Sequence, residues 1–432
     1  MSSRWYWSLT QLSRRLWLRA ALIGMLGVFA ALAATVCGPA IPDTLTVSIG
    51  ADSVGSILNV LASSMLAVTT FSLSVMTSAY SAASNGTTPR ATQLLIADST
   101  AQNALSTFIG SFLFSVVGLI VLNTGLYANN DRFVLFVVTI GVIALIVIAL
   151  LRWIDHLTRL GRVSETTREV EAAARDALLA RMRNPYLGGQ RLNDLQKDIP
   201  AEAIPLISNA IGYIQHIDAG LLSILAERYD SDIFLAITPG AFAYPRTILA
   251  WTLAGSPEII IPDADLLKAF SIRDVRDFDQ DPRFGVIVLG EIASRALSAA
   301  INDPGTAIDV AGRVIRLLAL WSQGFDPDSE IKYPRLYVPP VRTQDLLEDG
   351  IAPFARYGAS TVEVQVRLQK GLYSLSLLGS DEFRTAVRAY AQLCLEHVKT
   401  AALNEADFLR IKRAYDGTEL YLLAPAIGAK GS

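Results

Sequence analysis

The chain has 432 residues, of which 52% are hydrophobic and 18% charged. Its mean hydropathy of +0.38 is too high for a soluble chain of this length. Residues 1–154 hold seven Arg, four Asp and no Lys or Glu, net +3; subtraction from 37 basic and 40 acidic residues leaves 30 and 36, net −6, for residues 155–432. That asymmetry predicts a membrane domain over 1–154 and a soluble domain over 155–432, with the acidic balance arguing against nucleic acid as a partner.

Arg4, Arg14, Arg15 and Arg19 lead into the apolar run Leu16–Val36, the first expected membrane helix. The run is longer than a signal-peptide core and three more follow it, so a cleaved start is not expected. Val36 before Cys37 also makes a poor lipidation site. Cys37 and Cys394 fall in different halves, which gives no disulfide framework and suits a reducing compartment. Residues Cys37–Ser53 read as a loop with Pro39, Pro42, Asp43 and Asp52.

The second helix, Val54–Tyr80, is long enough to span a bilayer but is not uniformly greasy. Ser56, Ser63, Thr70 and Thr77 recur every seventh residue, and Asn59, Ser74 and Ser78 fall near the same side. On a helix these residues form a small, hydroxyl-rich face that must meet other helices or water. Helix packing and pore lining both fit Ser56, Asn59, Ser63, Thr70, Ser74 and Thr77. A polar connection, Ser81–Gln102, carries Thr88-Pro89-Arg90 and Asp98. The third helix, about Asn103–Asn123, has Gly110, Ser111, Ser115 and Gly118 for close packing. After a Gly125–Asp131 turn, the fourth, Arg132–Trp153, is almost purely aliphatic and aromatic, a composition that suits lipid. Arg clusters at the N-terminus, in the 81–102 loop and from Arg152 onward, so the positive-inside rule places both termini in the cytoplasm after four crossings.

From Asp155 to about Met182 a charged helix is expected to continue the fourth membrane helix, ending at Asn184-Pro185 and Gly188-Gly189. The stretch IPLISNAIGYIQHIDAGLLSILAERY reads as a strand, a Gly turn and a helix, and Pro239-Gly240 separates two further strands. Asp281-Pro282 opens a helix to about Ser298, and Asp303-Pro304 opens another to about Trp321, with Asp as N-cap and Pro in the first turn. YPRLYVPP reads as a strand, and residues 343–417 as helices broken near Gly358, Gly379 and Leu403.

Catalytic signatures are absent: the chain has no Walker loop, no Gly-x-Gly-x-x-Gly after a strand, no Gly-x-Ser-x-Gly and no zinc-protease His pair. His156, His216 and His397 lack neighbours at metal-ligand spacing and read as surface or helix-face residues. Neither a metal, nor a cofactor, nor an enzymatic activity is expected. The densest polar stretch after the membrane region is EIASRALSAAINDPGTAID. There Glu291 and Arg295 stand at i,i+4, and Asn302, Asp303 and Pro304 lie at a helix start. This is either a capped helix–turn–helix or a place where an anion meets backbone amides. Arg273, Arg276 and Asp277 lie just upstream.

The run SRALSAAINDPGTA resembles the signature of a bacterial family of predicted membrane proteins catalogued only as a domain of unknown function. That family is expected to carry Ser-Pro-Ala where this chain has Ser298-Ala299-Ala300. The resemblance extends to Thr88-Pro89-Arg90, Asp98–Gly110, Gly212-Tyr213-Ile214-Gln215 and Pro239-Gly240. It implies a membrane-helix domain with a cytoplasmic domain and supplies no activity.

The expected fold is therefore integral membrane α-helical, with four transmembrane helices and a C-terminal cytoplasmic, mixed, helix-rich α/β domain. No ionisable residue lies deep in the four segments, which disfavours an ion-coupled pump. The expectation is a passive channel-like or transport protein of the bacterial inner membrane, formed as a homo-oligomer that handles a small ion or anion. The alternative is a membrane-anchored sensor or interaction scaffold whose cytoplasmic domain binds a small anion or a partner.

Overall fold

The computed structural model describes residues 16–37, 51–124, 129–255, 260–326 and 329–418. The chain divides into two compact units, one ending at Thr166 and the other beginning at Thr167.

The N-terminal unit comprises α1 (Leu16–Cys37), α2 (Ala51–Gly86), the short α3 (Thr92–Ile96), α4 (Ser99–Asn123) and α5 (Asn129–Leu157). Among the described residues, Asp52–Gly86, Thr92–Asn123 and Asp131–Leu157 are long and apolar enough to cross a membrane, and Leu18–Ala33 is a shorter apolar stretch. Helix α4 is the centre, with α1, α2 and α5 packed against it. Its small residues explain that role, since Gly110, Ser111, Ser115 and Gly118 are all buried. A Cβ on Gly27 of α1 would lie 2.6 Å from the Gly110 carbonyl oxygen, and one on Gly118 would lie 3.2 Å from Leu58 of α2. The backbone approach at Gly27 leaves no room for a side chain, the one at Gly118 is tight, and in lipid such close dispersion contact is what holds helices together.

Several boundaries differ from the sequence expectation. Helix α2 begins at Ala51 and runs to Gly86, and the expected polar connection Ser81–Gln102 holds α3 and the start of α4. Most of the loop expected over Cys37–Ser53 lies outside the described residues. Helix α5 does not continue into the charged helix: the chain turns at 158–161 and restarts as α6 (Val163–Arg183). The break is made by Gly161, whose φ of 81° lies in the left-handed region that side chains disfavour.

The C-terminal unit has two small sheets. In the first, β1 (Gln190–Arg191), β8 (Leu336–Val338), β4 (Ser231–Leu235), β6 (Ile248–Ala254) and β2 (Ile204–Ile207) lie in that order. Strand β8 pairs parallel to both β1 and β4, while β6 is antiparallel to both its neighbours. The second sheet orders β5 (Phe242–Ala243), β3 (Gly212–Ile217) and β7 (Phe270–Arg273). The region expected to hold one strand and a helix thus holds two strands, β2 and β3, before α7 (Ala219–Arg228). A core including Ile217, Leu222, Ile233, Leu235, Leu249 and Leu336 joins these elements with the short α8 (Asp263–Leu267). His216, expected at a surface, is 6% exposed on β3, where its alternate neighbours Ile214 and Asp218 are also buried.

Six helices complete the unit: α9 (Phe284–Ala296), α10 (Pro304–Trp321), α11 (Thr343–Tyr357), α12 (Val362–Leu375), α13 (Asp381–Thr400) and α14 (Glu405–Tyr415). Each of α9 to α12 packs on the helix two places further along the chain. Helix α10 shows why: Ala307, Val310, Ala311, Val314, Leu317, Leu318 and Trp321 recur at three- and four-residue spacing and are buried. The starts of α10, α13 and α14 are set by side-chain caps, with the Phe383 amide donating to Ser380 (3.2 Å) and the Asp407 amide to Asn404 (2.9 Å).

Candidate functional site

The hydroxyl face of α2 looks outward. Ser56, Asn59, Ser63, Thr70, Ser74 and Thr77 are all exposed among the described residues, so this is not the face that α2 buries in its own bundle. The inward face is instead Val54, Leu58, Leu61, Met65, Ser72 and Met76. Ser63, Thr70 and Thr77 donate to the carbonyls of Asn59, Leu66 and Leu73 at 2.9, 3.1 and 2.9 Å. Such back-bonds satisfy a hydroxyl without water. Asn59 differs: among the described residues its carboxamide makes no hydrogen bond. Large apolar side chains share this face, with Val60, Leu66, Phe71 and Leu73 each more than half or about half exposed.

The connecting segment is a polar knot at one end of the same unit. Pro89 and Arg90 are exposed in a turn closed by the Ala91 amide on the Thr88 carbonyl (3.0 Å). Asp98 caps α4, accepting from the Ala101 amide at 2.8 Å. Its Oδ1 also lies 3.5 Å from Nε2 of His156, and the His156 ring stacks on Trp153 at 5.7 Å between centroids. The Trp153 indole is buried and donates to Ser72 Oγ at 2.9 Å, tying α5 to α2. His156 thus lies half-buried on the face of α5, with Trp153 one turn earlier on the same helix and Asp98 reaching it from a segment distant in sequence.

In the C-terminal unit, Asp303 caps α10, accepting from the Thr306 amide (3.0 Å) and hydroxyl (2.6 Å), with Pro304 in the first turn. These bonds hold the Asp303 carboxyl below the usual carboxylate range. The helix start is therefore already filled by a negative group from the chain itself. Asn302 adopts a φ of 48°, the left-handed turn that reverses the chain between α9 and α10. Glu291 and Arg295 are half-buried on α9, and Arg295 Nε finds no hydrogen-bond partner.

A second constellation gathers residues that are scattered in sequence. Arg276 bonds Asp281 through Nε (2.8 Å) and Nη2 (2.6 Å), and its guanidinium lies 6.0 Å from the Tyr213 ring centroid and 5.4 Å from that of Phe284. Gly240, with φ of 94°, turns the chain directly against this pair. So Tyr213 and Gly240, two of the pieces behind the family resemblance, meet at Arg276–Asp281. Arg283 extends the cluster with a bidentate grip on Asp349 (2.7 and 3.0 Å) and a bond to Asp345 (3.2 Å). Burial raises the Asp281 carboxyl, opposed by Arg276. Burial also lowers the Arg181 guanidinium to about 10, against the attraction of Asp281. Sequence reasoning missed Arg283, Asp345 and Asp349; the i,i+4 spacing of the two acids was the available signal.

This cluster is an ion-pair scaffold, because every guanidinium in it already faces a carboxylate. Cys394 is buried and its thiol is pushed up to about 12 by burial, which removes it as a nucleophile. Among the described residues no group of three or more His, Cys, Asp or Glu is placed to hold a metal ion.

A family model described as predicted membrane protein (DUF2254) matches residues 13–374. Uncharacterised proteins of Mycobacterium bovis and Mycobacterium tuberculosis are each 28% identical over 219 residues, covering 48% of this chain and 42% of each relative. The match thus spans less than half the length of those curated relatives. No solved structure matches the chain. With the family model covering most of its length, including the membrane helices and the Asp303-Pro304 turn, the chain belongs to the predicted membrane protein family DUF2254.

Proposed function

We propose that the protein is a non-enzymatic, homo-oligomeric membrane protein whose α2 hydroxyl faces turn toward one another and line a passive path for a small ion or anion. In this reading Leu16–Cys37 is a fourth crossing, both termini are cytoplasmic, and the bilayer is the bacterial inner membrane. The observation that carries it is Asn59: an exposed carboxamide without a hydrogen-bond partner among the described residues, on a face whose hydroxyls at 63, 70 and 77 bond back to their own helix. Asn in lipid seeks another helix or water, and within the protomer α2 offers neither. A second copy satisfies the amide and covers Leu66, Phe71 and Leu73.

Single Cys variants at Ser63, Thr70, Val68 and Val75, made after Cys37→Ala and Cys394→Ala, test this with a membrane-impermeant thiol reagent and an oxidant. A water path predicts labelling at 63 and 70, protection at 68 and 75, and intersubunit disulfides through position 70. Disulfides with uniform protection would make the face a dry seam. The chain would then be read as a membrane-anchored sensor or scaffold. Neither labelling nor disulfides would end the oligomer reading as well.

A further inference from the structure

The C-terminal unit holds a cavity of about 420 Å³ that the assembly reading does not use. Its wall is aromatic. Tyr186 meets Phe325 edge-on at 5.4 Å, Phe325 meets Trp321 edge-on at 5.6 Å, and Phe383 joins the lining. Trp321 is held by a bond from Nε1 to Thr343 Oγ1 (3.2 Å), so the wall is set before anything enters. Tyr186 and Leu187 adopt φ of 51° and 56°, ahead of Gly188 at 85°. Two consecutive non-glycine residues in the left-handed region are a costly backbone choice, of the kind concentrated at ligand sites. Here the choice sets the Tyr186 ring against Phe325. Burial raises the Tyr186 hydroxyl against the opposing pull of Arg191, whose side chain hydrogen-bonds to it and so ties the cationic side of the cavity to its aromatic wall.

The polar lining is cationic beside that wall. Arg191 and Arg342 both contribute, and both are exposed. Neither has a carboxylate within ion-pair distance among the described residues, unlike Arg276 and Arg283. Arg342 also precedes the 15-residue α11 as an N-cap without a side-chain cap bond, leaving the first-turn amides uncapped beside it. Glu382 and Gln323 in the lining supply acceptors and donors for a ring edge. The volume lies in the ordinary range for small-molecule sites.

We propose that this cavity binds a nucleotide: a planar heteroaromatic ring against Tyr186, Trp321 and Phe325, with its phosphate on Arg342 and Arg191. The apolar wall alone would suit any flat ring and the arginines any anion; their presence in one cavity selects a ligand that carries both. This rests on the C-terminal unit only and stands whether the α2 face is wet or dry.

The test is calorimetric titration of the full-length protein in detergent micelles with AMP, GMP, CMP and UMP, with the matching nucleosides and with inorganic phosphate. At least one nucleotide is expected to bind, with its nucleoside and phosphate each at least about tenfold weaker. Arg342→Gln should weaken the nucleotide about tenfold and leave the nucleoside unchanged. Phe325→Leu should weaken both. Arg342 is exposed, so its variant folds and decides the matter even if Phe325→Leu melts early. No binding by any nucleotide at millimolar concentration overturns the proposal. So does phosphate competing as well as the nucleotide, or an affinity indifferent to Arg342→Gln.

Discussion

Gly240→Ala probes the ion-pair constellation with a single methyl group. A Cβ there would overlap Asp281 Oδ2 and would lie 2.5 Å from Asp281 Cγ and 2.6 Å from Arg276 Nη2. Those atoms cannot swing aside, because Asp281 is 1% exposed and is held by Arg276 and by the Arg283 amide at 3.0 Å. Two costs add. The positive φ of 94° penalises any side chain by about 1–2 kcal/mol. Forcing a buried ion pair apart costs up to about 3–5 kcal/mol, since each charge is left without its partner. The control is Gly324→Ala, where φ is 78° but nothing lies within 4 Å of the new methyl, so only the backbone cost of about 1–2 kcal/mol applies. The difference, about 3 kcal/mol, corresponds to about two orders of magnitude in a local opening equilibrium. Hydrogen exchange of the peptide covering 280–288, followed by mass spectrometry on the full-length protein in micelles, reads that opening. Equal exchange in the two variants would show that the pair yields freely, and its role as a rigid node would be refuted.

Asp303→Ala should cost about 0.5–2 kcal/mol through loss of the α10 cap, and Asp303→Ser should recover most of it, both read by thermal melting. Trp153→Phe should cost about 1–3 kcal/mol by stranding the buried Ser72 hydroxyl, with Ser72→Ala in the same chain removing much of that penalty. Acid should loosen α6 from α10 through Glu171. Burial pushes its carboxyl up, but bonds from Arg316 (2.6 Å) and Arg313 (2.7 Å) hold it below its ordinary value. A depressed folded value means that the stability is present above the ordinary Glu pKa of about 4.3 and lost as pH falls through the folded value. Melting temperatures between pH 5 and 3 should therefore drop less in Glu171→Gln than in the unaltered chain. The Cys394 thiol, pushed up to about 12, should resist maleimide at neutral pH until the chain is unfolded.

What could be read from the sequence was what is decided within a few residues. Asp303-Pro304 announces a helix start because cap and acceptor are three residues apart, and α10 begins where that logic places it. The α2 periodicity was equally plain, yet its direction was not. A seven-residue repeat says which residues share a face but not whether that face meets its own bundle, and here the bundle takes the opposite one. The reason lies in α4, where Gly27 against Gly110 and Leu58 against Gly118 fix the packing through registers between distant segments. The ion-pair cluster was hidden for the same reason, since Arg283 finds its carboxylates 62 and 66 residues away. Where charge pairing is long-range, the residues left over are the informative ones. Arg342 and Arg191 stand beside an aromatic wall without a carboxylate in ion-pair distance among the described residues, unlike Arg276, Arg283 and Arg313. What sets these two apart is their place: both line one cavity together with aromatic rings, where a ligand would bring the negative charge.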